Sequence, residues 1–184
     1  METPELAQAL DFYQKGTRTG NGLKAFYGRK SIFSNFFPCY FKEGSTSYNC
    51  TEQMYQSEKC LFYGDPQAAR SVMLQSDPVM MKRIGDRLTH SDPTREKEWL
   101  KHRAKSVMKA AVHLKFSQNH NLRNALKQTL ENFVEANPHD SIWGIGLSLN
   151  NTKLLDREEW KGENWLGDIL TDMRDKFLSE EAGQ

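Results

Sequence analysis

The sequence has few cysteines and no long apolar run, and each shortage excludes a class of protein. Its three cysteines, Cys39, Cys50 and Cys60, form no CxxC pair, which argues against a zinc knuckle or a disulfide scaffold and favours free thiols in a reducing compartment. No apolar stretch reaches the about 20 residues that a transmembrane helix needs, and the acidic, amphipathic N-terminus is not a signal peptide. We therefore expect a cytoplasmic protein, or a nuclear one if the source is eukaryotic, without membrane association.

Motifs for common cofactor and metal chemistry are missing as well. The chain contains no GxGxxG, GxxxxGK[ST], HExxH or GxSxG motif, so it lacks the devices of dinucleotide-binding folds, P-loop enzymes, zinc proteases and serine hydrolases. Its five histidines are scattered, with no pair at the spacing of a metal-binding helix. We predict neither a metal nor a cofactor.

The charge of the chain is close to neutral. The formal net charge is +1 over 184 residues, which argues against a protein that coats nucleic acid by bulk electrostatics. Residues 82–109 nevertheless hold nine Lys or Arg against four Asp or Glu. This segment is either a basic face for a pyrophosphate or a nucleic-acid backbone, or a solvated helix face.

Helix-start signals dominate the middle of the chain. Asp-Pro pairs occur at 65–66, 77–78 and 92–93, and Asp is a good N-cap before a Pro at the first helical position. The third pair opens a helix that apolar spacing extends from about Thr94 to Phe116. Strand character is limited to short segments, one of them a hairpin. The pattern predicts a compact single domain with a mainly helical α+β fold and a small β-sheet or hairpin component.

One of the predicted helices carries an acid and an amine on the same face. Thr51 can act as the N-cap of a run that has no Gly or Pro before Gly64. Helical spacing then puts four side chains on one face, those of Glu52, Tyr55, Gln56 and Lys59. Spacing alone favours a stripe that is exposed to water, and the alternative is a catalytic face.

Two later segments combine aromatic rings with glycine. The first contains an acid, an indole and two glycines, at Asp140, Trp143, Gly144 and Gly146. Such a set suits stacking of a ring and the approach of backbone amides to a phosphate. The second segment contains Trp160 and Asn164. Each also has a purely structural interpretation, a Trp-Gly turn in the core and a helix start capped by Asn164.

Carboxylates, a lysine and aromatic rings without a metal or cofactor suit glycosidic chemistry. Departure of a group from ribose C1 needs negative charge near an oxocarbenium-like centre and a proton for the leaving group. A lysine offers a further route through a Schiff base at C1, if its pKa is depressed, or it binds a phosphate.

Five sequence blocks in a fixed order resemble the NADAR (YbiA-like) family. They are GRKSIFSNFFP at 28–38, YNCTEQMYQSEK at 48–59, the Trp99 helix running to Phe116, DSIWGIG at 140–146 and WKGENWLG at 160–167. The resemblance extends from about Lys24 to Leu178. We therefore predict an N-terminal helical extension at 1–23, with its helix at about 3–15, a NADAR-like N-glycosidase domain at 24–179 and a tail at 180–184.

The resemblance implies a metal-independent N-glycosidase without a cofactor. Its implied substrate is ADP-ribosylated guanine in nucleic acid or nucleotides, with ADP-ribose as product ligand, or a ribosylamino intermediate of riboflavin biosynthesis. The implied catalytic residues are Glu52, Lys59 and Asp140. Ligand contacts are implied at Asn35, Trp99, Trp143 and Asn164, and we add Phe36, Tyr55, Gln56, Arg103, Gly144, Gly146 and Trp160 as candidate substrate-binding residues. We predict no membrane and no obligate protein partner.

The mechanistic hypothesis gives the two acids separate tasks. Glu52 or Asp140 stabilises positive charge on the ribose, while the other acid, or a water that it holds, handles the proton. Trp99 and Trp143 stack on the base or the ribose. The basic segment at 82–109 favours ADP-ribosyl-guanine, although the riboflavin intermediate also carries a phosphate. The alternative is a non-catalytic module that binds ADP-ribose or NAD, which the acids disfavour because they would repel an anionic ligand.

Overall fold

The computed structural model describes residues 15–183, and these form two compact units. We call Pro38–His120 the helical unit, and residues 15–37 with 121–183 the sheet unit. Positions 3–14 of the predicted N-terminal helix lie outside the described residues.

The secondary structure of the described residues is mainly helical. The strands are β1 (Thr17–Gly20), β2 (Leu23–Phe26), β3 (Phe41–Glu43), β4 (Thr46–Tyr48) and β5 (Asn132–Glu135). The α-helices are α1 (Thr51–Phe62), α2 (Pro66–Met73), α3 (Pro78–Ser91), α4 (Pro93–Trp99), α5 (Lys105–Gln118), α6 (His120–Gln128) and α7 (Trp165–Ala182), with a π-helical segment at Leu100–Ala104 and a 3-10 turn at Arg157–Glu159. The predicted mainly helical α+β fold is confirmed. None of the described helices is long and apolar enough to cross a bilayer.

The sheet unit is built on a three-stranded sheet in the order β1-β2-β5. β1 pairs antiparallel with β2, and β5 pairs parallel with β2, with Ala25 opposite Val134. α7 packs against β5. Because β1 begins at Thr17, part of the segment predicted as an extension is a strand of this sheet.

Aromatic residues fill the core of the sheet unit beside β2 and β5. Phe33, from the loop that follows β2, is buried, and its ring centroid lies 4.7 Å from that of Phe133 and 6.0 Å from that of Phe26. A loop rich in phenylalanine is stable here because it places at least one ring in the core.

The helical unit is organised around α1. This helix packs against α2, α3 and α5, and the β3–β4 hairpin, with Phe41 opposite Tyr48, leads into it. An apolar cluster made of Cys50, Cys60, Ala69, Val72 and Met81 lies between these elements. All three cysteines are buried and free, as the sequence predicted.

Lys115 of α5 is an unusual member of the helical unit because its side chain is only 1% exposed. Its ammonium lies 5.1 Å from the ring centroid of Phe116. Burial lowers the pKa of Lys115, while Cys39 and Cys50 raise it in part. An amine in this position carries a desolvation cost whenever it is protonated.

The three predicted helix starts are confirmed. The Asp65 carboxylate accepts a hydrogen bond from the backbone N–H of Ala68, that of Asp77 from Val79, and that of Asp92 from Arg95. Each Asp precedes a proline at the first helical position. The prediction for α1 is wrong by one residue, since its N-cap is Cys50, which makes no side-chain cap bond, and Thr51 is already helical.

The long predicted helix from Thr94 to Phe116 is interrupted in the structure. A π-helical segment, Leu100–Ala104, separates α4 from α5. Four of its five residues are good α-helix formers, so propensity gives no sign of the wider turn. Such segments are frequent at functional sites, and this one directly follows Trp99.

Candidate functional site

The predicted stripe of α1 is buried, so the interpretation as an exposed surface is wrong. The exposed fractions are 5% for Glu52, 4% for Tyr55, 3% for Gln56 and 4% for Lys59. Burying a carboxylate and an amine costs free energy unless each has polar partners. The contacts of these two groups therefore define what the helix face can do.

Glu52 is held by the residue one turn further along α1. The Gln56 amide donates a hydrogen bond of 2.8 Å to Glu52 Oε1. The other end of that amide faces α3, where a Cβ added at Gly85 would overlap Gln56 Oε1. This oxygen is buried without a hydrogen-bond partner. Gly85 thus allows α3 to approach closely enough to hold the amide that orients Glu52.

Lys59 is the centre of a second group of contacts, which we call the Lys59 cluster and which comprises Lys59, Tyr63, Thr89 and Glu96. The Lys59 ammonium lies 2.7 Å from Glu96 Oε2 and 2.7 Å from Thr89 Oγ1. The same Glu96 oxygen accepts hydrogen bonds from the Tyr63 hydroxyl at 2.8 Å and the Thr89 hydroxyl at 3.1 Å. One carboxylate oxygen therefore receives three donors, which come from α1, from its C-cap residue Tyr63 and from α3.

The polar environment of the cluster also affects Tyr63. Burial, followed by the hydrogen bond to Glu96 and its charge, raises the pKa of the Tyr63 phenol far above its usual range. The phenol is thus a hydrogen-bond donor at neutral pH. Because Glu52 and Lys59 are seven residues apart, an axial rise of about 10 Å separates their backbones, and Gln56, the partner of Glu52, is not a member of the Lys59 cluster.

Trp99 of α4 packs against Tyr55 of α1. The Trp99 indole donates a hydrogen bond of 2.8 Å to the Tyr55 hydroxyl, and the two ring centroids lie 5.4 Å apart. Trp99 has no exposed surface. In this arrangement the indole packs inside the helical unit, and its predicted contact with a ligand stays a prediction.

Arg103 contacts a different face of α1 from the one that carries Glu52 and Lys59. Its guanidinium is 3.8 Å from Glu58, and both residues line a cavity of about 220 Å³ with Glu43 and Met54. A larger cavity of about 580 Å³ lies between the hairpin, α1 and α2. None of the predicted site residues lines that larger cavity. Neither Glu52 nor Lys59 lines the smaller one, so that cavity does not group Arg103 with the buried acid and amine.

In the sheet unit, Asp140 organises the loop that follows β5. Its Oδ1 accepts hydrogen bonds from the backbone N–H groups of Ile142 at 2.9 Å and Trp143 at 2.8 Å. Trp143 is half-buried, and its ring meets that of Trp165 edge-on at 5.5 Å. One oxygen of the predicted catalytic carboxylate therefore has a structural task.

The glycines of this loop are required by close packing. A Cβ added at Gly144 would come within 2.8 Å of the Glu135 carbonyl oxygen. Gly146 has φ +68° and lies against Lys161. Both positions exclude a side chain, which gives the two glycines a structural function whether or not they also contact a ligand.

Asn164 and Trp160 likewise make backbone contacts. Asn164 Oδ1 accepts a hydrogen bond from the Glu135 backbone N–H at 3.0 Å, and its Nδ2 donates to the Phe133 carbonyl at 3.0 Å. Asn164 is the residue before α7, with φ +57°, but it makes no side-chain cap bond. Trp160 donates from Nε1 to the Leu154 carbonyl at 3.0 Å. Both side chains hold segments of the sheet unit together.

The remaining two predicted positions lie in the loop after β2. Asn35 is buried, with 7% of its surface exposed, whereas Phe36 is half-buried. The Phe36 backbone N–H donates to Ser34 Oγ. Among the residues that the structure describes, no three His, Cys, Asp or Glu side chains are grouped as a metal site.

Sequence reasoning missed three members of the Lys59 cluster, Tyr63, Thr89 and Glu96. Burial of Lys59 requires a counter-charge, but the partners come from the C-cap of α1, from α3 and from α4. Of the three, only Tyr63 has a local signal, because it follows Lys59 by one helical turn. The packing of α3 and α4 against α1 cannot be read from spacing within α1.

Comparison with known proteins relates nearly the whole chain to one family. The family described as the NADAR domain matches residues 25–178. In solved structures, the NMR structure of the Escherichia coli protein YbiA covers 94% of this chain, and this chain covers 95% of it, with a TM-score of 0.70 and 23% sequence identity. At that identity the likeness shows a shared fold.

Three curated relatives carry sequence similarity. Protein irg-1 of Caenorhabditis elegans is 34% identical over 174 residues, which cover 85% of this chain and 80% of that protein. N-glycosidase R617 of Acanthamoeba polyphaga mimivirus is 35% identical over 151 residues, which cover 79% and 86%. The chloroplastic riboflavin biosynthesis protein PYRR of Zea mays is 29% identical over 166 residues, 83% of this chain but only 25% of that protein.

Proposed function

Because this chain belongs to the NADAR domain family, we propose that it is an N-glycosidase, which hydrolyses the bond between ribose C1 and a nitrogen. The observation that carries the proposal is the buried face of α1, where Glu52 and Lys59 are each held by named partners. The relative named N-glycosidase R617, which aligns along most of both chains, supports the same reaction class. A carboxylate beside an oxocarbenium-like centre is what this chemistry requires.

Glu52 is the proposed stabiliser of positive charge at C1. The Gln56 amide and the close approach of α3 at Gly85 fix its orientation. Preorganised charge of this kind contributes because it does not have to reorient during the reaction.

Asp140 is the second proposed catalytic acid. Its Oδ1 is used by two backbone N–H groups, and we assign the transfer of a proton, directly or through a water, to its Oδ2. Trp143, whose backbone is fixed by the same carboxylate, is the proposed stacking residue of the sheet unit. Stacking on a base contributes about 1–3 kcal/mol.

The preferred substrate in this proposal is ADP-ribose attached to guanine, in nucleic acid or in a nucleotide. The basic segment at 82–109 supports it, since a pyrophosphate needs cationic partners. A ribosylamino intermediate of riboflavin biosynthesis is the second candidate, which the similarity to a protein named for that pathway favours. Both substrates present a C1-to-nitrogen bond.

The test uses the wild-type protein and Glu52→Gln, which keeps the size of the side chain and removes its charge. Each is incubated with a guanine-ADP-ribosylated oligonucleotide and, separately, with the ribosylamino intermediate, and released sugar is measured by mass spectrometry. Release of ADP-ribose by the wild type alone supports the preferred substrate. Cleavage of the intermediate alone assigns the second candidate, and binding of ADP-ribose without cleavage of either substrate refutes the enzymatic proposal in favour of a binding module.

A further inference from the structure

We propose that Glu96 accepts the proton of the Lys59 ammonium and thereby makes Lys59 a nucleophile toward ribose C1. The inference rests on the proposed function and adds Glu96, which is not among the site residues predicted from the sequence. Glu96 belongs to α4, whereas Lys59 belongs to α1. Lys59 Nζ lies 2.7 Å from Glu96 Oε2, a distance that allows direct proton transfer.

The first step is that an ammonium has no lone pair and cannot attack carbon. Lys59 must lose a proton, and only 4% of its surface is exposed, so transfer to bulk water is hindered. Two oxygens lie 2.7 Å from Nζ, those of Glu96 and Thr89. A carboxylate is a far stronger base than a neutral hydroxyl, so of these two oxygens it is the one that can take the proton during the reaction. Glu96 is therefore the acceptor.

The second step concerns the other donors. Tyr63 and Thr89 donate hydrogen bonds to the same oxygen, Glu96 Oε2. These contacts hold the carboxylate in place when the ion pair with Lys59 is lost. A proton that moves only about 1 Å within a hydrogen-bonded pair leaves the net charge of the cluster unchanged, so the transfer avoids the cost of creating a new buried charge.

The covalent step then balances. The Nζ lone pair forms a bond to C1 while the bond from C1 to the base nitrogen breaks, its electron pair leaving on the base, which takes up the proton that Glu96 had accepted. Nζ then carries two protons, and one of them passes to the ring oxygen as the ribose ring opens, which gives a protonated Schiff base. Water adds to C1, its two protons pass to Nζ as the C1–Nζ bond breaks, and the sugar leaves as an aldehyde, with the Lys59 ammonium and the Glu96 carboxylate restored. One water is consumed for each base released.

The inference predicts a difference in pH dependence. In the wild type the proton passes from Lys59 to Glu96 inside the cluster and is not exchanged with solvent, so the rate should be flat between about pH 6 and pH 8. In Glu96→Gln the proton must leave the cluster, and the rate acquires an ascending limb of up to about tenfold per pH unit in that range. Glu96→Asp, which keeps an acceptor, is slower but flat.

Other titratable groups around the amine do not produce such a limb. Burial, with a smaller contribution from Asp65, raises the pKa of Cys60 on α1 to about 11. The pKa of Tyr63 is raised further, as described above. Asp92, the N-cap of α4, is the remaining charge that acts on Tyr63, and it is present in every variant. Tyr63→Phe is the matched control, because it removes a donor to Glu96 but leaves the acceptor, and its profile should keep the wild-type shape.

A second readout does not depend on turnover. The wild type, Glu96→Gln and Lys59→Ala are incubated with ribose 5-phosphate, whose open form is an aldehyde, and with borohydride, and the modified lysine is located by mass spectrometry at several pH values. Formation of the imine requires a neutral amine. We expect an adduct at Lys59 with a flat profile in the wild type and a rising profile in Glu96→Gln.

The outcomes separate the two proposals. Absence of turnover on both substrates refutes the proposed function, while the adduct profiles still decide the role of Glu96. Parallel profiles in the wild type and Glu96→Gln overturn the inference. So does turnover by a wild type that forms no adduct at Lys59, since Lys59 would then act only as a charge. Circular dichroism of each variant shows whether it is folded, and Glu96→Ala, which also removes the acceptor, takes the place of Glu96→Gln if that variant is not.

Discussion

Replacing Gly85 by alanine should destabilise the wild-type protein but stabilise a Gln56→Ala variant. Gly85 lies within α3, where exchange of a helical glycine for alanine normally adds about 1 kcal/mol to the free energy of unfolding. Here the added methyl group would overlap the Gln56 amide. That amide must rotate and give up its 2.8 Å hydrogen bond to the Glu52 carboxylate.

The magnitude follows from these two terms. A hydrogen bond to a charged group contributes about 1.5–3 kcal/mol when it is buried, and helix propensity offsets about 1 kcal/mol of its loss. The net expectation for Gly85→Ala is a decrease of about 0.5–2 kcal/mol in the free energy of unfolding. In a Gln56→Ala background no amide remains to be displaced, so the same substitution should increase it by about 1 kcal/mol.

The assay is a double-mutant cycle measured by urea denaturation of the wild type, both single variants and the double variant. The expected coupling energy is about 1.5–3 kcal/mol. If Gly85→Ala stabilises both backgrounds equally, the close approach of α3 to Gln56 has no energetic consequence, and the account of how Glu52 is oriented is refuted. Turnover gives a second reading, because Gly85→Ala should impair it as Glu52→Gln does.

Two further predictions concern Asp140 and Lys115. Asp140→Asn keeps an Oδ1 acceptor for Ile142 and Trp143, so its free energy of unfolding should stay within about 0.5 kcal/mol of the wild type while turnover is lost. Asp140→Ala should lose turnover and, in addition, about 1–3 kcal/mol of the free energy of unfolding. Equal stability of the two variants would contradict the role of Asp140 in holding the loop. Lys115→Met should increase the free energy of unfolding, because burial lowers the pKa of this amine below its ordinary 10.5. At a pH below the pKa of Lys115 in the folded state, the amine is protonated in both states and the folded wild type bears the full desolvation cost of the buried charge. Between that pKa and 10.5 only the unfolded chain holds the proton, so the free energy of unfolding of the wild type rises with pH. Denaturation at several pH values should show the gain from Lys115→Met shrinking toward pH 10.5, and a gain independent of pH would contradict this reasoning.

The parts of the fold that the sequence predicted are those with a local physical cause. Asp before Pro satisfies free N–H groups at a helix start whatever the tertiary structure, and all three such starts were predicted correctly. The π-helical segment at Leu100–Ala104 was missed because its cause does not lie in the intrinsic preference of its residues. The N-cap of α1 was misplaced because Thr51, a favourable capping residue, is buried as the first residue of the helix.

The same distinction applies to the candidate site. Spacing placed Glu52, Tyr55, Gln56 and Lys59 on one face, and all four are buried together. Spacing could not show that the face is buried, since a stripe of this composition is equally compatible with solvent. Nor could it identify Glu96 or Thr89, whose proximity to Lys59 depends on how α3 and α4 cross α1.

The partners of the polar side chains separate the residues of the five sequence blocks into those that hold the fold and those that are candidates for chemistry. Both the oxygen and the nitrogen of the Asn164 amide make hydrogen bonds to the backbone of β5. Its substitution would therefore destabilise the sheet unit, whatever its effect on ligand binding. Lys59 and Glu52 instead contact the side chains of Glu96 and Gln56, and these contacts do not hold a strand of the sheet. A buried ion pair contributes little to stability compared with apolar residues of the same size. The burial of Lys59 and Glu96 is therefore better explained by a chemical role of the amine than by a contribution to the stability of the helices that hold it.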